Sequence, residues 1–146
     1  DYWVIINLGM ALLMSIPAIN LYTHGTHITV AHAMGTTIGI NTMIILAASF
    51  YFIKPTFLSK KTLKLNSLFF WSTQLILLTF LISLIGMGIQ RALWQVGLKK
   101  STFSQMTQAS SLWTLLFIIL GTLLMIFMGY FIIYLILKSL KKNQVT

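Results

Sequence analysis

The chain has 146 residues, of which 58% are hydrophobic and 8% charged, with a mean hydropathy of +0.90 and a net charge of +9. A soluble domain carries roughly a quarter charged residues and gives each helix a wet face, whereas here ten Lys and Arg and one acid, Asp1, fall in the breaks between long apolar runs. That pattern excludes an ordinary soluble domain. It also assigns the basic residues to membrane topology rather than to nucleic acid, and the absence of Cys leaves His and Met as the soft metal ligands.

A span needs about 20 apolar residues to cross roughly 30 Å of hydrocarbon. The first candidate is Trp3 to Ile19, slightly short, with Pro17 near its end. There is no basic segment or small-residue cleavage site ahead of it, so it does not read as a signal peptide; the chain reads as starting where a helix of a larger protein enters the membrane. A polar break, 20–26, follows. The second helix is expected over 27–52, stopped by Lys54-Pro55 because the residue before a proline avoids helix. After a lysine-bearing break, 59–66, the third is expected over 65–94 and the fourth over 110–137. A basic, disordered tail, 138–146, closes the chain. The expected architecture is one all-α transmembrane domain, a bundle of about four spanning helices.

Lys54, Lys60, Lys61, Lys64, Lys138, Lys141 and Lys142 fall on one side of these spans, and Arg91, Lys99 and Lys100 on the other. Seven against three places the C-terminus in the cytoplasm and the break before the second helix outside.

All three histidines lie within nine residues of that break, His24, His27 and His32. An ionisable group about a turn and a half inside a membrane helix is costly and marks a functional candidate. His32 reads either as a metal ligand or as a residue bonded to a neighbouring helix. Met34 lies two residues on, roughly 200° around an α-helix, so the pair points to opposite sides. Both residue types ligate haem iron, although a membrane Met usually packs. Ala31, Gly35 and Gly39 recur every four positions, a seam that admits a close neighbour; on a uniform α-helix Gly39 projects within about 20° of His32 and would clear space beneath a flat macrocycle there. Thr29, Thr36, Thr37 and Asn41 make this the expected interior helix of the bundle. Thr26 is placed as its N-cap. His24, His27, Thr23 and the first free N–H groups form either an anion site for propionates or a simple interfacial cap. Arg91 either pairs with a propionate or reaches to the interface.

The segment Asn20-Leu-Tyr-Thr-His-Gly-Thr-His-Ile-Thr-Val-Ala-His resembles the haem–copper oxidase superfamily, above all the haem-b catalytic subunit of bacterial nitric oxide reductase. Gly86-x-Gly88-x-Gln90-Arg91 with Trp94 adds a looser likeness. The resemblance implies that the chain corresponds to the last four of about twelve helices, in a bacterial inner membrane. It implies two b haems, with His32 the proximal ligand of the high-spin haem and Met34 standing where the low-spin haem ligand is normally His. A non-haem iron or copper would be bound by residues outside this chain, which has no Glu; the fragment alone would not be catalytically competent. Implied partners are the remaining helices of the subunit, membrane lipid, and a cytochrome c-type or quinol electron donor. The implied reaction is reduction of two NO to N2O; a cbb3-like oxygen reductase is the alternative within the superfamily. A haem-free membrane scaffold or transporter piece is the alternative of another class.

Overall fold

Pro17 divides the first apolar run into two helices. It clashes with an α conformation at the preceding residue, and Ile16 is extended, with φ −72° and ψ 121°. In the computed structural model, which describes residues 2–53 and 60–143, the run therefore forms α1 (Tyr2–Ser15) and α2 (Pro17–Thr23), bent by 105° at the break. This corrects the single continuous helix expected over 3–19. Proline is well suited to the first turn of α2, where its missing N–H is no loss, and α2 turns aside to pack on a later helix, α5 (Lys60–Gln95).

Gly25, with φ +71°, makes the turn out of α2, a conformation that costs glycine little. Thr26 then caps the next helix, its hydroxyl accepting from the Ile28 N–H at 3.2 Å. That helix comprises α3 (His27–Met34), a π-helical segment (Gly35–Thr42) and α4 (Met43–Ile53). Its expected stop at Lys54-Pro55 lies outside the described residues, as do Asp1 and the last tail residues, 144–146.

Helix α5 has 36 residues, about 54 Å at 1.5 Å per residue, so residues 60–66 are helical rather than part of a break. Lysine is a good helix former and does not interrupt it. After Gly97, with φ +77°, a short α6 (Phe103–Ala109) appears that the hydrophobic pattern did not reveal. Its signal was a capping box: Thr102 accepts from the Gln105 N–H, and the Gln105 side chain accepts from the Thr102 N–H. The last helix, α7 (Ser111–Asn143), runs six residues past the expected end, so 138–143 are helical, not a disordered tail.

Among the described residues every element is helical. Three helices are long and apolar enough to cross a membrane, or four if the bent α1–α2 pair is one span. The chain is thus a multi-pass helical membrane protein. Its hub is α5, where 33% of the most apolar stretch is buried, against 17% for the His32 helix and 11% for α7. The expectation that the His32 helix is interior is therefore corrected: α5 packs on α2, α3, α6 and α7, and Leu77, Leu84, Thr73 and Ser83 fill its contacts.

Two glycines let α5 approach its neighbours. A Cβ at Gly86 would stand 2.5 Å from the Trp113 ring, and one at Gly88 2.7 Å from the Ile28 backbone nitrogen. The first obstacle is a rigid indole on α7, the second main chain. Gly86→Leu is expected to destabilise the bundle by about 1–3 kcal/mol through overpacking. Gly129→Ala, where nothing lies within 4 Å, should be neutral or slightly stabilising. Reversible unfolding in detergent would compare them.

Candidate functional site

The polar residues of the His32 helix arrange themselves around its π-helical segment. Thr36 and Thr37 donate to the carbonyls of His32 and Ala33, four residues back, whereas Thr42 donates to Thr37, five back, at 2.9 Å. Threonine hydroxyls commonly bond within the preceding turn, and the five-residue reach follows the wider π turn. Such turns inside an α-helix are often found at functional sites.

The wider turn changes which residues share a face. Four-residue spacing drifts by about 40° per step on an α-helix; π turns remove part of that drift. Ala31, Gly35 and Gly39 therefore line up on one side, all buried, and α1 lies against them. A Cβ on Gly35 would meet Asn7 Oδ1 at 2.5 Å, and one on Gly39 would meet the Trp3 indole at 2.8 Å. The clearance expected beneath His32 at Gly39 is taken up by Trp3. The cause is that the projection assumed a uniform α-helix.

His32 sits beside this seam, half-buried. Its Nδ1 is buried and has no hydrogen-bond partner. Met34, two residues on, is 38% exposed. Metal-bound imidazoles usually donate their second ring nitrogen to a carboxylate, carbonyl or water, and among the described residues nothing takes that role for Nδ1 of His32. Nor do the described residues contain a group of three or more His, Cys, Asp or Glu able to hold a metal ion.

At the helix entrance the hydroxyl of Thr26 donates to the Thr23 carbonyl at 2.7 Å, and Thr29 donates to the same oxygen at 2.9 Å. This knots the turn between α2 and α3. His27 opens α3, where Gly88 of α5 admits the backbone of 27–28 closely, with Arg91 three residues further along α5. The buried Nδ1 of His27 also lacks a partner. His24 is exposed at the end of α2. The structure thus sets the start of α3, with His27, against the α5 segment that carries Gly88 and Arg91, with His32 about 7.5 Å further along the helix axis from His27.

A polar linkage missed in the sequence crosses the centre of the bundle. The Trp3 indole N–H donates to Gln74 Oε1 at 2.6 Å, and Gln74 Nε2 donates to Met43 Sδ at 3.2 Å. Asn7, 3% exposed, donates to the Trp3 carbonyl and leaves its Oδ1 unpaired. A lone Asn and a lone Gln within apolar spans were visible signals, since such groups need partners away from water. The side opposite the seam presents Thr29, Ala33, Thr37 and Asn41 outward.

No protein-family model, curated protein or solved structure matches this chain.

The contact between Gly39 and Trp3 has a direct test. Gly39→Val should destabilise by about 1–3 kcal/mol through overpacking, and the loss should shrink when Trp3→Ala is combined with it. A double-mutant cycle of unfolding free energies measures that coupling; additive effects would contradict the packing.

Proposed function

We propose that this chain is part of a haem-bearing respiratory membrane subunit of the nitric oxide reductase type, belonging to a larger bundle of about twelve helices. His32 would hold the iron of a high-spin b haem and Met34 the iron of a low-spin b haem. The observation that carries the reading is a buried, unpartnered imidazole nitrogen inside a membrane span, in the sequence context Tyr22-Thr-His-Gly-Thr-His-Ile-Thr-Val-Ala-His. The outward polar side of that helix, which includes Asn41, favours further protein or cofactor over lipid at that surface.

The two donors fit axial ligation. The clearing at Gly39 does not contribute, because Trp3 occupies it. The haems would supply iron-centred electron transfer, in the full reaction reducing two NO to N2O. This chain's residues would position those irons. Trp3 and Asn7 hold the seam against α1, Thr36 is tied to the His32 carbonyl, and Thr26 sets where the helix starts. His27 and Arg91 lie at the same end of the bundle as the implied propionates would. The non-haem metal and its ligands would belong to other helices, with a cytochrome c-type or quinol donor delivering electrons; an oxygen reductase of the same superfamily would use the same two donors. The C-terminus would be cytoplasmic in a bacterial inner membrane.

A haem-free scaffold is the second reading. It is favoured by Trp3 and Asn7 filling the glycine seam with ordinary side chains.

Optical spectra of the native gene product, purified from membranes, separate the two. Reduced wild type should show b-type haem bands, and His32→Ala should lose the high-spin component; an unchanged spectrum would leave only the scaffold. Met34→His should lower the potential of the low-spin haem, because Met ligation raises it. A redox titration that finds no change would remove Met34 as a ligand.

A further inference from the structure

Helices α5 and α7 run antiparallel, and their register is pinned near one end of the bundle. Tyr130 donates its hydroxyl hydrogen to Asn66 Oδ1 at 2.9 Å, and the Tyr130 ring stacks on Phe69 with centroids 4.2 Å apart. This register sets the first turns of α5 beside the last turns of α7. Lys64 of α5 therefore lies at the same end of the bundle as Lys138 of α7.

Two cations at one end need counter-charge, and the sequence holds a single acid, Asp1. Lys138 Nζ lies over the Tyr134 ring, 6.0 Å from its centroid, a contact that leaves its positive charge unneutralised. At the other end of the bundle Lys99 already donates to Gln90 at 2.7 Å.

Depth along the helix points to the same counter-charge. Trp71 is 62% exposed and Tyr51, near the end of α4, 79% exposed; exposed Trp and Tyr are typical of the membrane–water boundary. Lys64 precedes Trp71 by seven residues, about 10 Å along the axis and within about 20° of the same face. A lysine at that offset from an interfacial indole lies at headgroup level, where clustered basic residues attract anionic lipid.

We propose that the lysine-rich end of the α5–α7 pair is a binding surface for anionic phospholipid headgroups, with Lys64 and Lys138 as its inner pair. The site does not require a haem, so its failure and that of the redox reading are separable.

Native mass spectrometry of the detergent-purified 146-residue chain would measure binding of phosphatidylglycerol and of phosphatidylcholine with identical acyl chains. Phosphatidylglycerol should bind more tightly. Removing two charges with Lys64→Gln and Lys138→Gln should weaken it about 10- to 30-fold, leaving phosphatidylcholine unchanged. Lys64→Arg with Lys138→Arg should retain binding, and its circular dichroism, alongside that of the Gln pair, checks that the helices persist. The control pair Lys99→Gln and Lys100→Gln should change binding less than about twofold, since it lies at the other end. Equal affinity for the two lipids, no loss in the Gln pair, or equal losses from both Gln pairs would overturn the proposal.

Discussion

The approach of α1 to the His32 helix, backbone nearly against side chain at Gly35 and Gly39, is the contact on which the rest of this bundle's geometry depends. Lipid tails are as apolar as leucine, so helices in a membrane gain little from hydrophobicity alone and associate through close packing and hydrogen bonds. Without a Cβ at positions 35 and 39, Asn7 and Trp3 reach the main chain of the neighbouring helix. Trp3 is then placed to bond Gln74 across the bundle, and Gln74 to bond Met43. Three helices are tied at one depth by that chain of contacts. Gly86 and Gly88 repeat the arrangement on α5, one admitting Trp113 and the other the backbone of Ile28.

This packing has consequences for the histidines. Because the seam is committed to α1, His32 is left at its margin, half-buried, with a ring nitrogen unpaired. Because Gly88 draws α5 against the start of α3, the backbone of 27–28 lies within a turn of Arg91 along α5 although more than 60 residues separate them. The π turns between Gly35 and Thr42 keep the small residues in line while leaving Thr37 and Asn41 outward. A surface of that polarity is poorly matched to hydrocarbon. It is the physical ground for treating this helix as a place where something else binds, and for reading α5, not the His32 helix, as the hub.

Much of this was legible in the chain itself. Four long apolar runs, the basic residues between them and the Thr26 cap were all read from residue types, because burial in lipid and the first turn of a helix are local demands. Pro17 was visible as well; it begins a second helix at a 105° bend within the run expected as one helix over 3–19. The capping box at Thr102 and Gln105 was equally visible and announced α6.

What the sequence alone determined is the class of molecule, a multi-pass helical membrane protein with its chemistry-bearing side chains gathered at one helix start, because composition and short-range spacing respond only to the solvent and to the nearest turns. What the tertiary structure decided is who faces whom: Trp3 rather than a macrocycle over Gly39, α5 rather than the His32 helix at the hub, and Lys64 of α5 at the same end as Lys138 of α7. Each of these depends on contacts between residues far apart in the chain and, at Gly39, on a change of helical pitch that no fixed periodicity carries.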